Sequence, residues 1–131
     1  MSHQYKLIKT KYGFHIKLTG TVCKERLKDW FPSIIDQVNK APKHFGLLIE
    51  LIDVHPICEE AAKVLAISRA YLIGKGMNRA IIVYNTSANI LNVMNMFHEV
   101  GVFQGERYIS TNTYADWQKV AEDWLNDGIE P

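Results

Sequence analysis

The stretch FGLLIELIDVHPICEEAAKVL, which spans Phe45–Leu65, decides the predicted fold. Seven of the eight residues 45–52 are apolar or glycine, a pattern typical of a strand that helices cover on both faces. The tract from Asp53 to Pro56 breaks this pattern, and from Cys58 onward apolar residues recur at helical spacing. The stretch therefore predicts a central strand that leads through a short loop into a helix.

The flanking sequence extends this pattern in both directions. Residues 5–19 predict two strands joined by a tight turn, because apolar and polar residues alternate in Gly13–Thr19. A helix follows, and after the central stretch strands and helices continue to alternate. The order β-β-α-β-α-β-α-β-α predicts one α/β domain over residues 1–131, with a mostly parallel mixed sheet, an antiparallel amino-terminal hairpin and a frayed tail at 127–131.

The first predicted helix, at about residues 24–39, contains a proline. Pro32 has no N–H to donate and its ring disrupts the helical backbone, so we expect a kink or a break near Phe31. Such a break would let the helix stand away from the sheet and open a gap beneath it.

Composition excludes several classes of function. The 15 basic and 14 acidic residues give a formal net charge of +1, too little positive charge for nucleic acid or an anionic membrane. Cys23 and Cys58 are far apart, which indicates free thiols in a reducing compartment. The chain shows no signal-peptide core and no spanning apolar run. We therefore expect a cytoplasmic protein with no integral membrane segment, and we expect no metal or cofactor.

The junction LIDVHPICEEAAKVL carries a family resemblance. The junction resembles the STAS domain of anti-sigma-factor antagonists and sulfate-transporter tails. It has the same order of features: an apolar strand, a short link, the isoleucine Ile57 and then a run that opens a helix. Cys58, Glu59, Glu60 and Ala61 stand where that family has an Asp-Ser-Ser-Gly or similar run, so no hydroxyl is offered at its phosphorylation site. The closing pattern, GERYIS and then a helix ending in DWL, looks more like stand-alone STAS-like or lipid-carrier-like relatives. The resemblance implies a STAS-like fold and a non-enzymatic regulatory or protein-interaction module.

The predicted partner-binding residues lie at this junction: Asp53, His55, Cys58, Glu59 and Glu60. Two glutamates at a helix start resemble a permanently phosphorylated site, or are simply the acidic residues that a helix dipole favours there. His55 and Cys58 also form an H-x-x-C pair, which suggests either a metal or thiolate site or a buried cysteine beside a surface histidine.

Two further groups of residues have competing interpretations. Asn85, Thr86 and Ser87 predict a small-anion site or ordinary helix capping, at the same edge of the sheet as the junction. The helix 90–100 has a wide apolar set, which predicts a homodimer interface or plain core packing. An alternative function is binding of a small apolar ligand or lipid in a pocket. Its predicted lining is Phe31, Leu65, Leu72, Met94 and Phe97.

Overall fold

The computed structural model describes residues 4–131, so residues 1–3 of the predicted domain lie outside it. The strands within this range are β1 (Gln4–Lys9), β2 (Gly13–Thr19), β3 (Phe45–Leu51), β4 (Met77–Tyr84) and β5 (Glu106–Ser110). The helices are α1 (Lys24–Asn39), α2 (Glu59–Gly74), α3 (Ser87–Val100) and α4 (Trp117–Asp127). The alternating order predicted from the sequence is confirmed.

The five strands form one mixed sheet in the order β1-β2-β3-β4-β5. β1 pairs antiparallel with β2, and every other neighbouring pair is parallel, as predicted. β3 lies in the middle, and all its residues except Ile49 are buried. The apolar run in β3 is therefore explained by cover on both faces of the sheet.

The position of the helices follows from the strand order. Because β2 to β5 succeed one another without reversal, crossovers of one hand place α1, α2 and α3 on the same face. On the opposite face, Trp124 and Leu125 of α4 pack against Leu48 and Ile81. Open α/β sheets form a ligand crevice where the strand order reverses. The run from β2 to β5 contains no such reversal, so both the helices and the sheet edge are candidate places for a site.

Pro32 does not divide the first helix. α1 is continuous through this residue, so the predicted break near Phe31 was wrong, and the alternative of a kink stays a prediction. Pro32 and Lys28 are both exposed, so water can reach the Lys28 carbonyl that has lost its helical donor. The Ser33 hydroxyl also donates a hydrogen bond to the Trp30 carbonyl at 2.9 Å, in the same turn.

The carboxyl-terminal tail contacts the rest of the domain. Glu130 pairs with Arg107 of β5, with 2.8 Å between Nε and Oε2. The N–H groups of Gly128 and Ile129 donate to carbonyls in the last turns of α4. A frayed tail stays a prediction, and these contacts argue against it.

The helices are short compared with the thickness of a membrane. α1 and α2 have 16 residues each, whereas an apolar helix needs about 20 residues to span the hydrocarbon core. Within residues 4–131, no helix combines the length and the apolar character needed to cross a membrane. The predicted lack of an integral membrane segment agrees with this.

Candidate functional site

The loop after β3 is fixed to the end of β2 by backbone contacts. Gly20 forms an isolated parallel bridge with Val54. Its N–H donates to the Asp53 carbonyl at 3.1 Å, and its carbonyl accepts from the His55 N–H at 2.9 Å. Asp53 adopts a left-handed conformation, with φ of 61°, which aspartate tolerates better than most residues. The direction in which the chain leaves β3 is therefore well defined.

Two asparagines of α3 hold the same loop from the other side. The Asn89 amide donates to the Val54 carbonyl at 2.7 Å, and the Asn92 amide donates to the Ile57 carbonyl at 2.9 Å. The Ile57 N–H in turn donates to the Asn89 carbonyl at 3.0 Å. The loop thus joins β2 and α3, and the surface that it presents is rigidly positioned.

The predicted partner-binding residues lie together at this edge and are all exposed. They are Asp53 and His55 on the loop, Cys58 at its end, and Glu59 and Glu60 in the first turn of α2. Within the described residues, the ion pairs of the two glutamates are distant, at 3.9 Å between Glu59 and Lys63 and 4.0 Å between Glu60 and Lys24. Exposed pairs of this kind contribute little stability. Their side chains therefore remain available to a partner, and partner binding here stays a prediction.

Cys58 does not occupy the position that we expected. It is exposed and precedes the first residue of α2, so the interpretation of a buried cysteine was wrong. Ile57 takes the buried position instead, at 2% exposure. Because the loop anchors itself in the core through Ile57, the next side chain faces water.

The predicted anion site lies beside the same loop. The Asn85 amide donates to the Asp53 carboxylate at 3.3 Å, so a negative charge already lies next to this turn. Thr86 precedes α3 but makes no side-chain capping hydrogen bond, and Ser87 is exposed. The carboxylate opposes anion binding at Asn85, and anion binding by this group stays a prediction.

An apolar cavity of about 60 Å³ lies between α1, α2 and the sheet. Phe31, Leu65, Leu72 and Phe97, four of the five residues in the predicted pocket, border this cavity. Met94 does not, because α3 reaches the cavity only through Phe97. The structure thus brings four of these side chains around one space without any break in α1, and ligand binding there stays a prediction.

The cavity is small for an organic ligand. An apolar cavity that holds benzene has a volume of roughly 150 Å³. Two aromatic pairs flank the α1 side of the cavity: Tyr5 stacks on Trp30 with centroids 5.4 Å apart, and Phe31 meets Tyr71 edge-on at 6.0 Å. Trp30 and Phe31 are partly exposed, so they separate the cavity from water. A hydrocarbon chain would enter only if these rings moved.

A buried ion pair lies next to the cavity. Arg69 of α2 donates from Nε and Nη2 to the two carboxylate oxygens of Glu106, at 2.7 and 3.1 Å. Nη2 also donates to the Gly101 carbonyl at 3.1 Å, and the guanidinium lies 4.7 Å from the Phe97 ring centroid. The Tyr108 hydroxyl donates to Glu106 at 2.9 Å. This network joins α2, the end of α3 and β5.

The same network fixes the protonation of Tyr108 and leaves one nitrogen of Arg69 open. Burial, with the negative charge of Glu106, raises the pKa of Tyr108 well above its usual value, so the phenol keeps its proton and donates it. Arg69 is 8% exposed. Its hydrogen bonds use Nε and Nη2, and Nη1 has no hydrogen-bond partner among residues 4–131.

A surface groove of about 560 Å³ runs between α2 and the end of α3. Three strongly exposed apolar side chains border it: Ile67 at 71%, Val100 at 58% and Val102 at 82%. Two cations, Lys63 and Arg69, also line the groove, and no carboxylate among residues 4–131 does. Its other lining residues are apolar or glycine: Ala66, Ala70, Ile73, Met96, Gly101 and Phe103. Arg69 borders both this groove and the internal cavity, so it separates the two spaces.

Sequence reasoning missed the groove, although the sequence holds a signal for it. Arg69 follows Ala62 and Ala66 and precedes Leu72 at helical spacing, so a cation occupies a core position of α2. Ile67 lies outside that stripe, and a large apolar residue there predicts an uncovered surface. What the sequence did not reveal is that α3 ends beside this surface.

The face of the sheet on which α4 packs has a separate polar cluster, on the half of that face nearest β1. Glu50 of β3 is only 5% exposed, and its carboxylate lies 2.9 Å from His15 Nε2 and 3.4 Å from Lys17 Nζ. Burial alone raises the pKa of Glu50. The hydrogen bond with His15 and the charge of Lys17 outweigh burial, so the pKa lies below the usual glutamate value. A buried carboxylate is thus kept ionised in the middle of the sheet.

Comparisons of the chain with protein-family models, with curated proteins and with solved structures found no match. Within the described part of the chain, no group of three or more His, Cys, Asp or Glu side chains is placed to hold a metal ion. The junction, the cavity and the groove are the three candidate sites that the geometry provides.

The Glu50 cluster predicts an acid-dependent loss of stability. A carboxyl with a lowered folded-state pKa stabilises the fold above its unfolded pKa, about 4.3, and this contribution is lost as the pH falls through the folded-state pKa. At pH 7 we expect Glu50→Gln to lower the free energy of unfolding by about 1.5–3 kcal/mol, the range for hydrogen bonds to charged groups. The difference from the wild type should shrink below about pH 4.3.

Urea unfolding followed by circular dichroism between pH 3 and pH 7 measures this difference. The control is Glu99→Gln, which changes an exposed glutamate of α3. A Glu50→Gln difference that stayed constant over this pH range would show that the carboxylate charge is not what stabilises the cluster.

Proposed function

We propose that this chain is a non-enzymatic protein-interaction module and that its partner binds in the groove between α2 and α3. The observation that carries the proposal is the exposure of Ile67, Val100 and Val102 around one apolar groove. Clustered apolar side chains on a surface are typical of interaction sites, whereas single ones need no explanation. The resemblance to STAS domains, which implies a binding role without catalysis, supports the same function.

A protein suits this groove better than a small molecule does. The three apolar side chains stand on the rim, so a small ligand on the floor would leave most of their surface in water. A partner wide enough to cover the rim would bury them, and each Å² of apolar surface removed from water contributes about 25 cal/mol. The rim therefore favours a protein surface or segment as the occupant.

The predicted junction and the groove share one face of α2. Glu60, Lys63, Ile67 and Ala70 are all exposed and recur at intervals of three and four residues, which places them along one side of the helix. The first of these belongs to the predicted partner-binding group, and the next three line the groove. A single partner lying along α2 would contact both regions, with the polar junction at one end and the apolar groove at the other.

Removing two rim side chains should abolish partner binding. The double variant Ile67→Ser/Val102→Ser keeps the shape of the backbone but loses the apolar rim, and we expect at least a tenfold loss of captured partner. Leu91→Ser is the matched control, because Leu91 is also an exposed apolar residue of α3, at 54%, but does not line the groove. The measurement is affinity capture from cells that express the protein, with quantitative mass spectrometry of the bound proteins.

The informative proteins are those captured equally by the wild type and by Leu91→Ser. If the double variant retained all of them while its melting temperature matched that of the wild type, the groove would not be the binding surface.

A second candidate function is binding of a small apolar ligand in the internal cavity. The favouring observation is that Phe31, Leu65, Leu72 and Phe97 surround one space with almost wholly apolar walls. Apolar cavities stay dry and accept hydrocarbon more readily than water. The small volume opposes this function, because the aromatic side chains near the cavity would have to move to admit a chain.

Changing the size of the cavity tests this second candidate. Leu65→Phe should fill the space and abolish binding, whereas Leu65→Ala should enlarge it and lower the free energy of unfolding by about 2–5 kcal/mol. A ligand at a concentration of about 100 times its dissociation constant would raise the free energy of unfolding of Leu65→Ala by about 2.7 kcal/mol. The measurements are native mass spectrometry of protein purified from cells and thermal shifts with fatty acids and phospholipids. A single apo mass with no shift for the wild type or for Leu65→Ala would exclude this function.

A further inference from the structure

We infer that the partner of the groove is an apolar protein segment that carries a carboxylate, and that this carboxylate binds Arg69 while Lys63 adds positive charge to the same groove. This inference rests on the proposed function, because it names the chemistry of a partner for the same surface. Its starting point is the charge of the groove, whose lining holds two cations and no acid among otherwise apolar or glycine residues.

The hydrogen-bond count of Arg69 leaves room for a second acceptor. A guanidinium has five N–H donors, one on Nε and two on each terminal nitrogen. Glu106 and the Gly101 carbonyl accept three hydrogen bonds, which involve Nε and Nη2. The two donors of Nη1 have no acceptor among residues 4–131. A carboxylate from a partner can bind there without displacing Glu106.

A second cation in the groove adds to its positive charge. Arg69 and Glu106 neutralise one another, so a second carboxylate would leave one net negative charge at the site. Lys63 lines the same groove and has only a loose, exposed pair with Glu59 at 3.9 Å. It lies six residues before Arg69 on α2, about 9 Å along the helix axis, so its exposed ammonium makes the same groove more favourable for an acidic segment.

Arg69 is already positioned for this contact. The side chain is 8% exposed, its edge is fixed by Glu106 and the ring of Phe97 lies 4.7 Å away. The ordering of the guanidinium has therefore taken place during folding, and a partner does not have to supply it on binding. A fixed, partly desolvated cation discriminates better between a carboxylate and an amide than a mobile surface lysine does.

The shape of the groove favours a helical segment. Residues 63 to 73 of α2 form one wall, which at 1.5 Å per residue is about 15 Å long. This length suits about three turns of a helix, whose apolar residues would recur at intervals of three and four residues and meet Ile67, Ile73 and Met96. The carboxylate would lie among these apolar positions.

A second copy of this chain fits the groove less well. In a two-fold dimer the same patch meets itself, so the Nη1 donors of Arg69 would meet a lining without a carboxylate to accept them, and the two Lys63 side chains would share one contact. Like charges at a desolvated contact are unfavourable. The charge of the groove therefore favours a different chain with an acidic residue.

Selection from a phage-displayed library of random 15-residue peptides tests the inference on the full-length protein. We expect the recovered peptides to carry apolar residues at helical spacing and at least one Asp or Glu, and to lose binding to the Ile67→Ser/Val102→Ser variant. A synthetic peptide with the consensus sequence should bind at least tenfold more tightly than the same peptide with its acid changed to the amide.

The variants Lys63→Gln and Arg69→Lys then show where in the groove the acidic residue of the peptide binds. Each substitution should weaken binding of the acidic peptide several-fold and leave binding of the amide peptide unchanged. The control is Lys28→Gln, which changes an exposed lysine of α1 and should alter the affinity for neither peptide. Arg69→Lys keeps the charge next to Glu106 but lacks the second pair of donors. Lys63→Gln alters only an exposed side chain, so it tests the inference even if Arg69→Lys fails to fold.

The outcomes separate the inference from the function on which it rests. The selected peptides could depend on the groove but show no preference for an acidic residue, or the variants could weaken binding of the acidic and the amide peptides equally. Either result would overturn the inference that the partner carries a carboxylate and would leave the groove as a binding site. Peptides that bind Ile67→Ser/Val102→Ser as well as the wild type, or a selection that recovers none, would overturn both. A species of twice 15.0 kDa in sedimentation, lost in the double variant, would assign the groove to a second copy and overturn the inference.

Discussion

The ion pair between Arg69 and Glu106 holds together the part of this domain that we propose to be functional. It joins the middle of α2 to the first residue of β5, and through Gly101 to the end of α3. Burying two charges costs several kcal/mol per ion, which close geometry and further hydrogen bonds must offset. Here Tyr108 and two nitrogens of Arg69 bind the carboxylate oxygens, while Phe97 lies close to the guanidinium. Because Arg69 borders both the groove and the cavity, this pair also determines their shape.

The sheet explains why the functional surface lies on the helices. The parallel strands succeed one another in sequence order, which places three helices side by side and provides no crevice at a reversal of strand order. α2 lies between α1 and α3 and leaves one face exposed from Glu60 to Ala70. The loop before it is fixed by Gly20 and by Asn89. A partner that lay along α2 would therefore meet a surface that is already in place.

The sequence predicted the sheet and the helices because their patterns are local. The apolar run of β3 and the helical spacing after Cys58 place these elements without knowledge of their neighbours. The two wrong predictions, a break at Pro32 and a buried Cys58, concern features that depend on the folded surroundings. The helix around Pro32 is exposed to water, and Ile57 takes the buried position next to Cys58. Arg69 could be recognised as a cation in an apolar stripe, but nothing local pairs it with Glu106, which is 37 residues away.

The most direct test of this account is to map the bound surface by nuclear magnetic resonance. The protein, labelled with ¹⁵N, would be titrated with the synthetic acidic peptide while the backbone amide signals are followed. We predict that the largest shifts cluster at residues 63–73 and 96–103, together with the Arg69 side-chain signal, and that signals of α4 do not move. Shifts centred on residues 53–60 or on the α4 face, with the groove unchanged, would contradict it.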